Sequence, residues 1–313
     1  MFLLEIFHQL CIYPFGKVIM KAAVFYYSQS GQALKAAENV CGSMSAVYKE
    51  IIPLQNYPFP WSRKEFFQAF PESRLGIPPS GIQPLDFSDI ADADIVVISG
   101  QSWFLSPSLP LQSFFSDERV RVYLKGRSIV FVNSCRNMWL MTSRKVKEYV
   151  RQAGATLVGH IVLQDRASNL VSAVTIIRWL MKGKKEATRI LPAAGVSEED
   201  LRGASRFGTV MENKWKEGDF SGLQTALLEE GAIKYKPSVL VIEKTGHRIF
   251  GFWAKFIRKK GEFGDKNRQG RLTLFYWYLL FVLFALSPLV QLFFWITYPL
   301  RRVKYNRQTD CNV

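Results

Sequence analysis

Residues 22–40 read AAVFYYSQSGQALKAAENV, and this stretch decides the fold. The apolar run 22–27 predicts a buried strand, and residues 32–41 predict a helix. A short loop of hydroxyls and glycine at a helix N-terminus offers free backbone N–H groups to an anion. The loop between the two elements, residues 28–32, has no lysine and no G-x-G-x-x-G spacing. It therefore predicts a single-phosphate site, with an ordinary strand-to-helix turn as the alternative.

The composition restricts the class of protein. The chain has 313 residues, 48% of them hydrophobic, which is enough for a domain with additional segments. Its four cysteines show no C-x-x-C spacing and its three histidines are dispersed, so we expect neither disulfides nor a metal site. The net charge of +15 calls for an acidic partner or surface. The sequence contains no nucleic-acid-binding motif, so a membrane is the expected partner and nucleic acid is not.

Residues 272–300 contain no charged side chain and are long enough to span a bilayer. Aromatic residues crowd both ends, as in an interfacial belt. Basic residues flank both sides, so the positive-inside rule gives no orientation. Pro288 lies near the middle and permits two half-helices. A membrane span and a re-entrant hairpin therefore both remain open, with the domain at residues 20–165 expected in the cytoplasm.

The rest of the chain divides into further segments. Residues 20–165 alternate strand and helix patterns, which predicts an α/β domain with a parallel sheet covered by helices on both faces. This domain carries an insertion at 57–87, rich in proline and aromatic residues, that we interpret as an irregular loop. The insertion is either a lid over an apolar substrate or a satellite core. The other predicted segments are an apolar extension at 1–19 (with Met1 or Met20 as the start), a helical extension at 166–232, a basic linker at 233–271 and a basic tail at 301–313.

Three loops follow strands of the predicted sheet and so meet at one edge. They are residues 28–32, 100–104 and 133–139. This arrangement over about residues 21–162 resembles the flavodoxin-like superfamily, which implies a doubly wound five-stranded parallel sheet of order 2-1-3-4-5. In that superfamily such loops hold FMN. The resemblance implies cofactor contacts from Ser28, Gln29, Ser30, Gly31 and Gln32 in the first loop, Gln101, Ser102, Trp103 and Phe104 in the second, and Asn133, Ser134 and Asn137 in the third. Ala33 stands where flavodoxins commonly carry a further hydroxyl.

A closer resemblance is to the flavodoxin-like condensing enzymes or aromatases of dialkylresorcinol and flexirubin-type pigment clusters. This resemblance rests on the first loop, the apolar C-terminal segment and three short motifs, Pro58-Phe59-Pro60-Trp61, Phe70-Pro71-Glu72-Ser73 and Cys135-Arg136-Asn137-Met138-Trp139. The resemblance implies a membrane-associated oxidoreductase that aromatises a dialkylcyclohexanedione. The substrate would carry alkyl or polyene chains, and a ketosynthase is a further implied partner.

The chemistry of that reaction suggests three catalytic residues. An enolate formed during aromatisation is stabilised by a nearby cation, and Arg136 is the candidate. Cys135 is a candidate for proton transfer, although packing is the favoured role of this thiol. Tyr27 is a candidate for contact with the ring edge, with a purely structural role as the alternative.

Three other functions remain open. A membrane-bound FMN-dependent quinone reductase or porphyrinogen oxidase would share the same loops and an apolar partner. A non-catalytic scaffold that binds a ketosynthase or a lipid is the second. An electron carrier is disfavoured, because flavodoxins of that kind are typically acidic and this chain is basic.

Overall fold

The structure is a computed structural model, and it describes residues 19–235 and 237–286. Predictions for residues 1–18 and 287–313, including the turn at Pro288 and the basic tail, lie outside the described residues. The elements follow one another as β1 (Lys21–Tyr26), α1 (Gln32–Cys41), β2 (Ser45–Glu50), α2 (Arg63–Gln68), α3 (Phe70–Leu75), β3 (Ile95–Trp103), β4 (Ser106–Pro107), α4 (Leu109–Ser116), α5 (Glu118–Leu124), β5 (Ser128–Cys135), α6 (Leu140–Gln152), β6 (Thr156–Gln164), α7 (Asn169–Lys182), α8 (Glu198–Gly203), α9 (Ser205–Lys216), α10 (Leu223–Glu229), α11 (Pro237–Arg258) and α12 (Gln269–Phe281).

The sheet has the order β2-β1-β3-β5-β6, and all these pairs are parallel. When the short strand β4 is left out of the numbering, this order becomes 2-1-3-4-5, which is the flavodoxin-like doubly wound arrangement. The short strand β4 adds an antiparallel hairpin to the end of β3. The predicted fold class is therefore confirmed, with this hairpin as an unpredicted addition.

Helices cover both faces of the sheet. Val24 and Val97 face a core shared with α1, α8, α9 and α10, whereas Phe25 and Ile98 face the core under α4, α5 and α6. Strands that are buried on both faces are apolar at successive positions, which explains the continuous apolar runs in the sequence. The helical extension thus supplies one of the two covering layers.

A separate core forms where the insertion meets the last two helices. The segment 57–87, expected to be irregular, contains α2 and α3. Ser62 and Glu65 form a capping box that starts α2, which explains the helix. The Phe70 ring stacks on the Phe275 ring with centroids 3.8 Å apart. The insertion is therefore a packed helical pair held against α11 and α12.

A buried ion cluster ties these elements together. Glu72 on α3 is 1% exposed and accepts from Arg268 Nη1 at 2.7 Å and Nη2 at 2.8 Å. Arg268 itself is fully buried and lies directly before α12. Arg258, at the end of α11, donates to the same carboxylate at 3.1 Å. One carboxylate thus joins the insertion to both C-terminal helices.

Residues Lys266–Leu286 form a helical stretch of 21 residues with a mean hydropathy of 1.4. By length and composition it could cross a membrane. Only 11% of its most apolar part is buried inside the protein. Its last turn, Val282–Leu286, is a π-helix.

Helix α11 is fixed to α6 by a buried carboxylate. Glu243 is fully buried, and its Oε1 accepts from the backbone N–H of Met141 at 2.8 Å. Its Oε2 has no partner within the part of the chain that the structure describes. Burial raises the pKa of Glu243 to about 7, and this effect outweighs the backbone hydrogen bonds from the start of α6, which lower the pKa. The native state therefore holds a proton that the unfolded chain releases near pH 4.5, and stability is lost as pH rises from there through 7.

We expect Glu243→Gln to raise the free energy of unfolding by on the order of 2 kcal/mol at about pH 8, because the neutral amide avoids burying a charge. Near pH 4.5 the variant and the parent should have the same stability. Thermal melts in detergent at the two pH values measure this difference. An effect of equal size at both pH values would contradict the assignment of the proton to Glu243.

Candidate functional site

The three predicted loops meet at the carboxyl edge of the sheet, around a cavity of about 210 Å³. Ten of the predicted residues line it: Gln29, Ser30, Gln32, Gln101, Ser102, Trp103, Phe104, Ser134, Cys135 and Arg136. The other predicted residues, Tyr27, Ser28, Gly31, Asn133 and Asn137, lie next to the lining without forming it. We call this space the edge cavity.

The first loop has the geometry of an anion site. Gly31 has φ 83°, a conformation that favours glycine, and it positions the first turn of α1. The Ser28 hydroxyl oxygen accepts from the Leu34 N–H at 3.1 Å and so acts as a helix cap. Ser30 faces the edge cavity. The N–H groups at the start of a helix have no intrahelical partner, which leaves those of α1 that precede Leu34 available to an anion.

The side-chain amide of Gln29 makes hydrogen bonds to the start of the insertion. Its Nε2 donates to the carbonyl oxygens of Tyr57 and Pro58, at 3.3 and 3.1 Å, and its Oε1 accepts from Trp61 Nε1 at 3.1 Å. This side chain therefore anchors the start of the insertion above the edge cavity, besides lining it.

Gln32 is likewise engaged. Its side chain makes two hydrogen bonds with the backbone of Val196, accepting at 3.2 Å and donating at 2.7 Å. Next to Val196, a Cβ at Gly195 would lie 2.4 Å from Gln32 Oε1, so only glycine fits there. The segment between α7 and α8 thus closes over the start of α1, a contact that the sequence did not predict.

The second loop is a tight hairpin between β3 and β4. Its two central residues, Phe104 and Leu105, have φ 49° and 62°. Positive φ is costly for bulky residues, by roughly 1–2 kcal/mol each. Asparagine and glycine are the usual residues in such turns. The strained pair places the Phe104 ring against the edge cavity.

Trp103 lies in an aromatic cluster. Its ring has edge contacts with Tyr27, Tyr57 and Trp61, with centroids 5.9, 5.3 and 5.4 Å apart. These contacts fix the indole at the wall of the edge cavity, where a planar ring could pack against it.

The third loop contributes amides and a hydroxyl. Asn133 is buried and accepts from the Ser102 hydroxyl at 3.3 Å. Asn137 donates to the Asn169 side chain at 3.0 Å. The Ser134 hydroxyl is buried and has no partner among the described residues, and Ser134 lines the edge cavity. It is therefore a free polar group at the wall.

Two predicted catalytic residues are unsuited to ionisation. The Cys135 thiol is buried beside Trp139 and Val162, and burial raises its pKa. Tyr27 is 7% exposed, and burial raises its pKa as well. Both groups stay protonated at neutral pH. Tyr27 contacts the edge of Trp103 and does not line the edge cavity.

Arg136 is the cation of the site. Burial lowers its pKa to about 10, so the guanidinium remains charged at neutral pH. It donates to the backbone oxygen of Asn169 at 2.9 Å, which fixes it against the start of α7.

A second and larger space, which we call the apolar chamber, adjoins the edge cavity. It measures about 400 Å³, and the two spaces share lining residues, among them Ser102, Phe104 and Arg136. Its lining includes Ile176 and Leu180 on α7, Phe250 on α11, Leu279 and Leu280 on α12, and Leu283 in the turn that follows α12. The sequence predicted α7 as a helix but not as a wall of the site. The closely spaced apolar residues 176–180 were the available signal.

The residues present suit a flavin mononucleotide. A phosphate would meet Ser30 and the free N–H groups at the start of α1, and the unpartnered Ser134 hydroxyl could donate to an acceptor on the ring. Ala33 is buried, and its carbonyl accepts from the Ser99 hydroxyl at 2.7 Å. It therefore serves the packing of α1 on the sheet.

Comparison with known proteins gave structural similarity alone. No family model and no curated protein matches the chain. A flavodoxin from the domain Archaea is 15% identical, with 63% of this chain and 99% of that chain covered and a TM-score of 0.36. A flavoprotein in complex with FMN from Lactobacillus acidophilus NCFM is 17% identical, covering 47% of this chain and 94% of that one, at 0.38. An NAD(P)H:quinone oxidoreductase from Methanothermobacter marburgensis is 13% identical, covering 62% and 97%, at 0.30. The assignment of the fold rests on the strand order described above.

Proposed function

We propose that this chain is an FMN-dependent oxidoreductase that acts on a membrane-dissolved ring compound. The observation that carries the proposal is the pair of adjoining spaces. The edge cavity has polar loops of the kind that hold a flavin phosphate and ring, and the apolar chamber continues from it toward the apolar helix. An apolar pocket next to a cofactor site can hold an apolar substrate against the reactive ring of the cofactor.

The bound FMN would supply the redox step by accepting a hydride from the substrate. The protein holds and orients the reactants. Trp103 and Phe104 bound the ring site, and Ser30 lies at the phosphate end. The aromatic cluster around Trp103 excludes water from the same wall.

The reaction we propose is oxidation of a dialkylcyclohexane-1,3-dione to a dialkylresorcinol. The ring loses two electrons and two protons, one proton leaving with the electron pair as hydride. A cyclic 1,3-diketone is acidic, so a weak base such as water is sufficient for the other proton. The Arg136 guanidinium lies at the junction of the two spaces and would stabilise the enolate oxygen.

The features that suggest membrane association support this choice of substrate. The stretch Lys266–Leu286 is apolar and mostly uncovered by protein, and the chain has a net charge of +15. Anionic lipid attracts such a charge. A substrate with two alkyl chains partitions into the bilayer, where a membrane-bound enzyme can meet it.

The test has two parts. The protein is purified in detergent, and the flavin released on denaturation is identified as FMN or as another species. The loaded protein is then given a dialkylcyclohexanedione with dioxygen as the terminal oxidant, and resorcinol formation is followed. A protein that is colourless and does not bind added FMN would refute the redox function.

Arg136→Met should lower kcat for the diketone by about 100-fold or more, since a charged group that stabilises developing charge contributes roughly 3 kcal/mol. Flavin affinity should fall much less than kcat, because Arg136 lies at the junction of the two spaces and not at the phosphate end beside Ser30. Arg136→Lys should restore part of the rate. Stopped-flow reduction of the flavin by the diketone isolates this step. A parallel loss of flavin affinity would place Arg136 in the cofactor site instead.

The apolar chamber would also suit a quinone or a porphyrinogen. Turnover of a quinone with NAD(P)H, and none of the diketone, would identify a reductase.

Two observations favour the alternative of a non-catalytic scaffold. The Gln32 side chain is hydrogen-bonded to the backbone of Val196, and the edge cavity is small. Absence of flavin together with tight binding of a ketosynthase would support that role.

A further inference from the structure

We infer that the apolar chamber is a tail-binding site for an amphiphile with an oxygen-bearing head, which reaches it sideways from the bilayer between α7 and the end of α12. The inference deepens the proposed function, because it assigns how the substrate of that same site is oriented and where it arrives from. It does not depend on the identity of the redox reaction.

The chamber has a polar end and an apolar end. Ser102, Arg136 and Asn169 mark the polar end, and two of them also line the edge cavity. Leu280, Val282 and Leu283 mark the apolar end, on the helix long enough to cross a membrane. Arg63 also lines the chamber, and its guanidinium lies over the Tyr276 ring, 4.9 Å from the centroid. A ligand that satisfies both ends has an oxygen-bearing head and an alkyl tail.

Exposed apolar side chains surround the outer end of the chamber. Ile177 on α7 lines the chamber and is 37% exposed. Phe281 and Phe284, beside the lining residues of the apolar helix, are 62% and 46% exposed. Such a patch is unfavourable in water and matches the acyl region of a bilayer. The chamber is therefore continuous with a surface that lipid would cover.

The helix changes form where it meets the chamber. Residues Val282–Leu286 wind as a π-helix, and this turn packs on α7. π-Helical turns occur frequently at functional sites. Here the turn carries Val282 and Leu283, which form the outer wall. The contact between this turn and α7, next to the exposed apolar side chains, is where we place the entry route of the ligand.

Two photoreactive probes test the orientation. Both are long-chain alkylresorcinols incorporated into phosphatidylcholine–phosphatidylglycerol vesicles that contain the protein. One carries a diazirine at the end of the chain, and the other carries it on the ring. The tail probe should label α7 and residues 279–283, and the ring probe should label the loops at Ser102 and Arg136. Labelling by both probes on the same outward-facing residues would overturn the inference.

Matched substitutions test the route. Leu280→Trp narrows the chamber, whereas Leu274→Trp makes the same change on an exposed position of α12 that does not line it. Labelling by the tail probe should fall at least tenfold in the first variant and stay unchanged in the second. Ala173→Phe narrows the opposite wall from α7 and should act like Leu280→Trp, which separates filling from misfolding of α12.

A binding measurement distinguishes this inference from the proposed function. If the chamber is labelled as expected but no flavin binds, the redox function fails and the tail site stands. If flavin binds and a short-chain diketone turns over, while the tail probe labels only the outer surface, the tail site fails and the redox function stands.

Discussion

Replacing Glu72 with glutamine is expected to lower the free energy of unfolding by about 3–5 kcal/mol, because it leaves the fully buried Arg268 guanidinium without its counter-charge. Removing one partner of a buried ion pair is costly, since the remaining charge has neither water nor an opposite charge. In a domain of this size that loss corresponds to a fall in melting temperature of roughly 6–20 °C. Intrinsic tryptophan fluorescence on heating in detergent measures it.

Two controls sharpen the result. Glu148→Gln removes one partner of the Lys145–Glu148 pair, which is exposed, and should change stability by no more than about 0.5 kcal/mol. The double variant Glu72→Gln with Arg268→Met removes both buried charges and should be more stable than the sum of the two single losses. Additive losses in this cycle would show that the pair is not coupled.

The Glu72 substitution should also act at a distance from α3. Since the same carboxylate holds α11 and the start of α12, its loss should loosen the core formed by Phe70 and Phe275. Limited proteolysis should then cut the link between α11 and α12 in the variant before the sheet domain is cleaved. Equal protection of that link in both proteins would limit the ion cluster to a local role.

Placing a carboxylate in the first loop should remove FMN binding. Ser30→Glu puts a negative charge where the phosphate would lie and takes the place of a hydroxyl donor. Charge-assisted hydrogen bonds contribute about 1.5–3 kcal/mol each, so repulsion plus the lost donor should weaken FMN at least about 100-fold. Flavin fluorescence titration measures the dissociation constants.

Riboflavin provides the matched comparison, because it carries the same ring without the phosphate. Its affinity should be equal in the parent and in Ser30→Glu. Ser30→Ala should weaken FMN by roughly 10-fold, the low end for one lost charge-assisted donor, because the backbone donors remain. A loss of riboflavin together with FMN would mean that the loop holds the ring and not the phosphate.

The sheet could be predicted from the sequence because its signals are local. Apolar runs such as residues 22–27 and 95–98 predict strands. The polar loops that follow these strands indicate the edge of the sheet where the candidate site lies. The capping box of Ser62 and Glu65 was equally visible, but the prolines around it favoured an irregular loop. The prediction of an irregular loop was wrong because α2 and α3 pack against α11 and α12, which are distant in the chain and leave no local signal.

The rest of the site depends on contacts between residues far apart in the chain. Gln32 and Val196 are 164 positions apart, and Glu72 and Arg268 are 196 apart. No spacing rule connects such pairs, since they meet only once the helices have packed. The roles suggested for Cys135 and Tyr27 illustrate the same limit. A thiol permits proton transfer and a tyrosine at a strand end permits contact with the ring edge, but the burial of both side chains, which raises their pKa values, could not be known in advance.

The cover over the edge cavity has a consequence for the release of a bound ligand. Two hydrogen bonds between Val196 and the Gln32 side chain hold the segment between α7 and α8 over the start of α1. A ligand held beneath this segment leaves only when these bonds open. The rate of release is therefore set by the opening of this segment and not by affinity alone.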